Sequence, residues 1–302
     1  MDVSIIIVNY NTENLIINCL RSVYEQTDGI DYEILVVDNC SKDNSVNAIK
    51  KNFPNVVVVE SNTNLGFGRA NNLGVESAKG RYLFFLNPDC ILIENAIKKM
   101  FDFFESTNNE KNRIGAIGCI LLDIDHKLNT SYQRFPTPGI QIRRRFIGII
   151  NKIFKTEIIS KPLPNYDLDK NHEVDFITGA DLFLPKEIFI SLGGFDSSFF
   201  MYYEETDLQK KMSKVSLKRI ILKDVNIIHL EGGATTKRLS SLTIFTDSDF
   251  KYMRKHFSPI VYFLYYLIMN LLLYPTLLSS SHSKNDKRDF KKMIKRNCVF
   301  IS

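Results

Sequence analysis

Apolar runs of strand length alternate with segments of helical periodicity over the first 90 residues. The runs at 3–9, 33–37, 56–60 and 82–86 are rich in β-branched or aromatic residues. A strand and a helix recur in steps of roughly 25 residues, which is typical of a parallel sheet covered by helices on both faces. The run at 82–86 is apolar without alternation and predicts a strand buried on both faces. The sequence therefore predicts an α/β fold with a mostly parallel central sheet flanked by helices.

Polar residues follow the predicted strands at the points where the strands end, and ligands of open α/β sheets bind at this carboxyl edge. Asp38 offers an acceptor to the N3–H of a uracil or thymine ring, and Tyr10 offers a ring for stacking. Asn87-Pro88-Asp89 ends the run at 82–86, and the proline fixes a turn that presents Asp89 to a divalent cation and a phosphate. Helix capping, packing and a plain turn are the alternative roles of these residues.

Two other classes of nucleotide-dependent enzyme lack their motifs in this chain. The first strand is followed by Asn9-Tyr10-Asn11-Thr12 and has no G-x-G-x-x-G turn, which argues against a nicotinamide-dependent oxidoreductase. A nucleotidyltransferase would need a glycine-rich, basic loop at the same place to hold a triphosphate, and this segment is neither.

Charge and cysteine content limit the partners and the compartment. The net charge is +5, and residues from 251 onward hold ten Lys/Arg against two Asp/Glu, so the positive charge belongs to the tail. A nucleic-acid function of the main domain therefore has little support. The five cysteines are scattered and form no C-x-x-C pair, which argues against a disulfide framework and fits a reducing compartment. No basic segment precedes the first strand, so we expect no signal peptide.

Four motifs resemble the family 2 glycosyltransferases of GT-A fold, in the order and spacing of that family. They are Ser4-Ile-Ile-Ile-Val-Asn-Tyr-Asn-Thr12, Val36-Val-Asp-Asn-Cys-Ser-Lys-Asp-Asn-Ser45, Asn64-Leu-Gly-Phe-Gly-Arg-Ala-Asn-Asn72 and Phe85-Leu-Asn-Pro-Asp89. The chain most resembles the bacterial rhamnosyltransferase-like branch. The resemblance implies a GT-A nucleotide-binding fold and inverting transfer of a sugar from a dTDP- or UDP-sugar with Mg²⁺ or Mn²⁺.

The resemblance also implies which residues bind the donor and the metal ion. The residues expected at the donor nucleotide and its diphosphate are Tyr10, Asn11, Asp38, Arg69, Asn87, Asp89 and Lys237. Lys237 lies on a loop with Thr235 and Arg238 that is expected to cover the leaving diphosphate as a lid. The Asp-x-Asp of the family is Asn87-Pro88-Asp89 here, so Asp89 is its one carboxylate. His229, which ends the apolar run at 225–229, is expected to join Asp89 at the metal.

The acceptor half contains a second decisive stretch, at 193–207. It resembles the G-G-F-D…F-F…E-D-x-D-L segment of the family. Inverting transfer needs a carboxylate that takes the proton of the acceptor hydroxyl, and the family places this base at the position of Glu205. Glu205 stands where the family usually carries Asp, and Glu204 or Asp207 are expected to share or orient the charge. The alternative is an acidic helix start in solvent.

The predicted domains are a GT-A domain at 1–240 and a helical tail at 241–302. The first would comprise a nucleotide-sugar half at 1–122 and an acceptor half at 123–240, where 175–181 resembles the segment of the family that lines the acceptor site. Residues 123–172 are predicted to be irregular, apart from an apolar, basic stretch that begins at Ile140.

Two apolar segments with basic neighbours bear on membrane attachment. Residues 143–155 would form an amphipathic helix, either against anionic lipid or in solvent. The apolar run at 259–278 is as long as a membrane-spanning helix, about 20 residues, and is flanked by Lys and Arg on both sides. A span, a helix lying in the surface of the membrane, and a buried helix or dimer contact all remain open.

The predicted function is an inverting glycosyltransferase that moves rhamnose or another hexose to a hydroxyl of a lipid-linked glycan acceptor in bacterial surface polysaccharide synthesis. It would work at the inner face of the cytoplasmic membrane. A catalytically inactive nucleotide-sugar-binding or scaffold subunit is the alternative, because Asp89 is the single motif carboxylate and Glu205 replaces an Asp. The sequence leaves open the donor sugar, the acceptor, the linkage and the oligomeric state.

Overall fold

The structure is a computed structural model that describes residues 1–107, 113–156, 158, 169–230, 239–278 and 283–298. The described residues pack as two compact units. The first draws on ranges 1–134, 164–200 and 204–234, and the second on ranges 135–163, 201–203 and 235–302. In this structure residues 135–163 group with the tail. The domain boundary predicted from the sequence at residue 240 stays a prediction.

Among the described residues, nine strands form a sheet at the centre of the first unit and two strands form a separate sheet. The strands are β1 Val3–Asn9, β2 Tyr32–Asp38, β3 Val57–Glu60, β4 Tyr82–Leu86, β5 Cys90–Leu92, β6 Ile114–Leu122, β7 Tyr132–Gln133, β8 His172–Glu173, β9 Phe176–Ile177, β10 Asp181–Pro185 and β11 Lys218–His229. The order in the large sheet is β3-β2-β1-β4-β10-β6-β11-β5, with β8 paired to β11, and β7 pairs with β9.

The large sheet is mixed, with six of its nine described strands running in one direction. Strands β3, β2, β1, β4, β6 and β11 share that direction, while β10, β5 and β8 run against their neighbours. The mostly parallel sheet is therefore confirmed, with an antiparallel strand in its middle. The backbone N–H of Asn87, just after β4, donates to the carbonyl of Ala180 at 3.0 Å. Strand β10 thus begins at the carboxyl edge of the sheet and runs back along β4.

The described part of the chain contains ten helices. They are α1 Glu13–Gln26, α2 Ser45–Asn52, α3 Phe67–Ser77, α4 Ala96–Thr107, α5 Pro138–Phe154, α6 Lys186–Ser191, α7 Glu204–Lys214, α8 Leu239–His256, α9 Pro259–Leu278 and α10 Lys284–Asn297. Thr12 precedes α1, but its hydroxyl donates to Asn9 Oδ1 at 2.7 Å and makes no capping bond. Helix α5 confirms the helix predicted at 143–155 and begins five residues earlier, because Thr137 caps it by accepting from Ile140 N and Pro138 begins its first turn.

Alternate side chains of the central strands supply two separate apolar cores. Ile5 and Ile7 of β1 lie in the core that includes α1, whereas Ile6 and Val8 lie in the core that includes α3. Side chains of a strand alternate between the two faces of its sheet, so helices cover both faces here. All five residues of β4 are buried, as the unbroken apolar run predicted. The first unit is thereby a three-layered α/β domain whose strand ends reach one edge.

Candidate active site

The turns that follow β1 and β2 are joined by a network of hydrogen bonds around Asp38. Asn9 Nδ2 donates to Asp38 Oδ1 at 2.9 Å, and the backbone N–H of Ser41 donates to Asp38 Oδ2 at 3.0 Å. The side chain of Asp38 is buried, so these bonds fix the direction of its carboxylate. Each carboxylate oxygen can still accept a further hydrogen bond from a ligand.

Tyr10 and Asn11 lie at the tip of the first turn. The side chain of Tyr10 is 45 % exposed, which leaves a ring available for stacking at this edge of the sheet. Asn11 has a φ of +55°, in the left-handed region that Asn tolerates better than most residues. Its Oδ1 accepts from Lys42 N at 2.7 Å, and its own N–H donates to Ser41 Oγ at 2.9 Å. The turn is therefore held in place by contacts with the turn after β2.

Asp89 and His229 lie close enough together to be ligands of one metal ion. His229 Nε2 lies 3.3 Å from Asp89 Oδ1, and both side chains are mostly buried. Two ligand atoms at right angles around a Mg²⁺ or Mn²⁺ ion lie about 3 Å apart, since each is about 2.1 Å from the ion. A carboxylate oxygen and an imidazole nitrogen suit such ions, so the donor set fits a divalent metal.

The pairing of β5 with β11 explains how these two distant residues meet. His229 stands opposite Cys90 in the antiparallel ladder, and the N–H of Leu230 donates to the carbonyl of Asp89 at 3.0 Å. On the other side, the N–H of Cys90 donates to the carbonyl of Asn87 at 3.1 Å and closes the turn that contains Pro88. The turn and the ladder together direct Asp89 toward His229.

Cys90 is a third side chain close to the pair, and the sequence did not single it out. Its Sγ lies with the ligand atoms of Asp89 and His229 in a group spanning no more than 4.8 Å. Burial and then the nearby charge of Asp89 raise the pKa of the Cys90 thiol well above its ordinary value. Because a metal binds the thiolate, we do not count Cys90 as a ligand for a hard cation.

Asp181, a buried acid at the start of β10, was also absent from the predicted site residues. Its Oδ2 accepts from the backbone N–H of Cys119 at 2.6 Å, and within the described ranges no group bonds to Oδ1. Burial raises the pKa of Asp181 to about 6. The sequence feature that could have identified Asp181 is its position as the first residue of an otherwise apolar strand. It also ends the segment at 175–181, which resembles the lining of the acceptor site.

The three acidic residues at the start of α7 differ in their access to solvent. Glu204 and Asp207 are buried, whereas Glu205 is half-buried. Asp207 Oδ2 lies 3.5 Å from Lys211 Nζ, so its charge is compensated within the helix. Thr206 Oγ1 donates to Glu205 Oε1 at 3.1 Å. Among the three, Glu205 therefore has a carboxylate that a substrate can approach.

Gly179 leaves room beside Glu205. A methyl group at this glycine would lie 3.6 Å from both Glu205 Cγ and the ring of Phe67. The carbonyl of Ala180, the next residue, accepts from the N–H of Asn87. The segment at 178–180 therefore links the surroundings of Glu205 to the turn that carries Asp89.

Helix α3 is tied to the segment that precedes α7. Asn72 exchanges two hydrogen bonds with the backbone of Phe195, at 2.8 and 3.1 Å. Arg69 is exposed, and its Nε donates to the carbonyl of Ser197 at 2.7 Å. Within the described part of the chain, that bond directs Arg69 toward 193–200 and not toward Asp38. Lys237, with Thr235 and Arg238, lies outside the described residues.

The edge of the sheet thus presents a buried carboxylate and an exposed ring at one place, a carboxylate–imidazole pair at another, and an accessible carboxylate on α7. These groups suit a base-bearing diphosphate, a divalent cation and a hydroxyl nucleophile respectively.

Comparison with known proteins gives a family model and several relatives. The model described as "Glycosyl transferase family 2" matches residues 4–157. A poly(ribitol-phosphate) beta-glucosyltransferase of Bacillus spizizenii is 37% identical over 115 residues, which are 36% of this chain and 18% of that protein. An N-acetylglucosaminyl-diphospho-decaprenol L-rhamnosyltransferase of Mycobacterium tuberculosis is 23% identical and covers 67% of each chain.

Solved structures show the same fold at low sequence identity. The crystal structure of S. aureus TarS 1-349 in complex with UDP matches with a TM-score of 0.56 and 15% sequence identity. The match covers 98% of this chain and 71% of the TarS chain. Some relatives are much longer, since this chain spans about a fifth of the Bacillus glucosyltransferase and of a second teichoic acid protein from Bacillus subtilis.

Proposed function

The chain belongs to glycosyl transferase family 2, and we propose that it transfers a sugar from a nucleoside diphosphate donor to a hydroxyl group with inversion at the anomeric carbon. The observation that carries this proposal is the Asp89–His229 pair at the carboxyl edge of a GT-A sheet. The accessible carboxylate of Glu205 supports the same proposal. The segment at 178–180 lies beside Glu205 and is hydrogen-bonded to the turn that carries Asp89.

The donor nucleotide would bind at the turns after β1 and β2. The carboxylate of Asp38 would accept from the N3–H of a uracil or thymine ring, since its direction is already fixed by Asn9 and Ser41. The exposed ring of Tyr10 would stack on the base. The UDP complex of TarS, a protein of the same fold, supports a uridine diphosphate donor, and a thymine ring would offer Asp38 the same N3–H.

Asp89 and His229 would hold the divalent cation. When bound, this cation neutralises the negative charge that develops on the diphosphate as it leaves. The ladder between β5 and β11 keeps both ligands in place before the donor arrives, so little reorganisation accompanies binding. Asn87, at the start of the same turn, would contact the donor beside the cation.

Glu205 would act as the general base. As the acceptor oxygen bonds to the anomeric carbon, the bond from that carbon to the diphosphate oxygen breaks and the hydroxyl proton passes to the Glu205 carboxylate. Thr206 donates to Oε1 at 3.1 Å, and this bond helps to orient the carboxylate. Glu204 and Asp207 would shape the start of α7.

The acceptor would be a glycan carried on a lipid at the inner face of the cytoplasmic membrane. The name of the mycobacterial relative describes a diphospho-decaprenol acceptor and an L-rhamnosyl product, which supports this class of substrate. The apolar helix α9, with basic residues before and after it, supports attachment to the membrane.

The proposal is tested by donor turnover. Purified protein is incubated with UDP-, dTDP- and GDP-sugars, Mg²⁺ or Mn²⁺ and a lipid-linked glycan extract, and the released nucleoside diphosphate is measured. We expect release from one donor, lost with EDTA and with Glu205→Gln. Binding of a donor without release under any condition would instead indicate the inactive nucleotide-sugar-binding subunit. Failure to bind every nucleotide sugar would reject both functions.

A further inference from the structure

Helix α9 has two faces that differ in what covers them, although its residues are apolar all round. One face packs within the second unit and consists of Tyr262, Tyr265, Tyr266, Met269 and Leu273, all buried. The opposite face is exposed and consists of Ile260, Phe263, Leu264, Leu267, Ile268, Leu271 and Tyr274. Ile260 and Leu271 are 73% and 75% exposed, which is unusual for large aliphatic side chains in water.

The exposed side chains form a continuous stripe along the helix. Ile260, Leu264, Leu267, Leu271 and Tyr274 recur at alternating steps of four and three residues, which places them on one side of an α-helix. No charged residue interrupts the helix between 259 and 278. A helix of 20 residues is about 30 Å long, so the stripe forms an extended apolar ridge.

Helix α5, which packs against α9, carries a second exposed apolar edge. Phe146, Ile153 and Phe154 are 53%, 66% and 69% exposed. Arg145 joins the two helices, because its Nε donates to the carbonyl of Leu272 and its Nη2 to Thr276 Oγ1. The exposed stripe of α9 and the exposed edge of α5 are called the apolar surface below.

The buried face of α9 is fixed by polar contacts that a membrane-spanning helix would lose. The Tyr262 hydroxyl donates to the carbonyl of Asn297 at 2.7 Å, and the Tyr266 hydroxyl donates to the carbonyl of Ile294 at 3.2 Å. The Tyr265 hydroxyl donates to the buried carboxylate of Asp249 on α8. These contacts attach α9 to α8 and α10 as part of one folded unit.

Helix α10 is too highly charged to enter a bilayer together with α9. It carries seven Lys/Arg and two Asp/Glu in 14 residues. A charged side chain at the centre of a bilayer is costly even on the lower scales. A span by α9 would therefore have to detach it from α10, which would leave the Tyr265–Asp249 and Tyr262–Asn297 bonds unmade.

We infer that the second unit docks on an anionic lipid bilayer with α9 lying in the plane of the membrane, its exposed stripe among the acyl chains and exposed basic side chains of the same unit at the headgroups. Charge complementarity selects this partner, because the exposed Arg143 and Lys155 flank the exposed Phe146, Ile153 and Phe154 along α5, and the same unit exposes Lys291, Lys292 and Lys295 on α10. The inference rests on the membrane attachment proposed above and does not depend on glycosyl transfer.

The first test is flotation of the full chain with lipid vesicles. Wild type is expected to float with vesicles that contain phosphatidylglycerol, and less with pure phosphatidylcholine. Leu264→Glu/Leu267→Glu should lower the bound fraction on the order of tenfold or more, because two large apolar side chains no longer enter the bilayer. The matched control is Ile124→Glu/Ile190→Glu, which replaces two exposed isoleucines of the first unit, at 64% and 58%, and should float like wild type.

Circular dichroism and light scattering make the flotation result decisive. Both double variants should keep the wild-type spectrum, since all four side chains are exposed. Wild type that fails to float would reject membrane attachment. A wild-type dimer that separates in Leu264→Glu/Leu267→Glu, with no flotation of wild type, would assign the apolar surface to a second copy of the chain.

The second test separates a helix in the plane from a span, and uses Cys298 at the end of α10. Cys298 is exposed and Cys40 is partly exposed, while Cys19, Cys90 and Cys119 are buried, so in Cys40→Ser the thiol of Cys298 is the accessible one among the four that remain. Intact spheroplasts are treated with a membrane-impermeant maleimide, and lysed spheroplasts serve as the labelling control. We expect labelling only after lysis. Labelling in intact spheroplasts would place α10 outside the cell and overturn the in-plane arrangement, while flotation would still support membrane attachment.

Discussion

His229 Nε2 lies 3.3 Å from Asp89 Oδ1, and the backbone ladder between β11 and β5 holds the two residues there. A strand end and a proline turn from distant parts of the chain thus build one candidate metal site. Since Asp89 is the single carboxylate of its motif, His229 would supply the second protein ligand. Asp89→Asn and His229→Ala are each expected to weaken Mn²⁺ binding by at least about tenfold, as measured by calorimetry in the presence of nucleoside diphosphate.

Cys90→Ser is the matched control for the metal site. Its thiol lies beside the pair but is kept protonated by burial, so the substitution should leave Mn²⁺ affinity unchanged. A large loss of affinity in Cys90→Ser would mean that the thiolate is a ligand and that the assignment to a hard cation is wrong.

Glu205→Gln is expected to lower the turnover number about 10²- to 10⁴-fold while leaving donor affinity in place, because the amide cannot take the hydroxyl proton. Steady-state kinetics and donor binding measured on the same preparations test this. Glu205→Asp keeps a carboxylate and should recover part of the activity. Equal activity of Glu205→Gln and wild type would move the base to another residue.

Tyr10→Ala is expected to weaken binding of the donor nucleotide about 3- to 10-fold, because the stacking surface is lost. Tyr10→Phe keeps the ring and should bind like wild type, which separates stacking from hydrogen bonding by the hydroxyl. Titration with UDP and dTDP measures both variants. Unchanged affinity in Tyr10→Ala would exclude stacking at this position.

Asp249 predicts a pH dependence of stability in the second unit. Burial raises the pKa of Asp249 to about 6 against bonds from Tyr203 and Tyr265, so the folded state favours the neutral acid. The contribution of Asp249 to the free energy of unfolding is fully present below its ordinary pKa of 3.8 and is lost as the pH rises through about 6. This loss corresponds to about 3 kcal/mol. Urea unfolding measured between pH 4 and 7.5 should show the decrease in wild type, and Asp249→Asn should not show it.

Asp247 lies on the same helix, and its pKa is shifted in the opposite direction from that of Asp249. Its pKa is lowered because, although burial opposes it, Lys251, Asn297 and Arg296 bond to the charged form. Its contribution is therefore present above the ordinary pKa and lost as the pH falls. Asp247→Asn should keep the pH dependence assigned to Asp249, and a flattened curve in this variant would contradict that assignment.

Gly66→Ala is expected to destabilise the first unit by more than about 2 kcal/mol. Gly66 has a φ of +83°, and a methyl group there would lie 1.9 Å from the carbonyl oxygen of Phe200. Gly148→Ala in α5 is the control, since a methyl group would meet no described atom within 4 Å and alanine favours a helix by up to about 1 kcal/mol. Thermal unfolding of the two variants should shift in opposite directions.

The local pattern of the chain was enough to predict the elements that form unbroken apolar runs. The run at 82–86 predicted β4 with its correct bounds, and the apolar runs at 3–9 and 259–278 did the same for β1 and α9. Unbroken apolar runs and helical periodicity depend on neighbouring residues, so they can be read without knowing the fold. The reversed direction of β10 could not be predicted this way, since a short apolar run has no direction of its own.

The sequence by itself determined the α/β class, the family and the positions of the polar residues at the strand ends, because these depend on local periodicity and on motifs. Tertiary structure decided which of these residues meet. Asp89 reaches His229 only through the register of β5 on β11, and Glu205 rather than Glu204 is accessible only because of how α7 packs. Neither face of α9 carries a charged residue, and packing against α5, α8 and α10 decides which face is buried. Contacts between distant segments depend on long-range pairing and burial, which no local pattern contains.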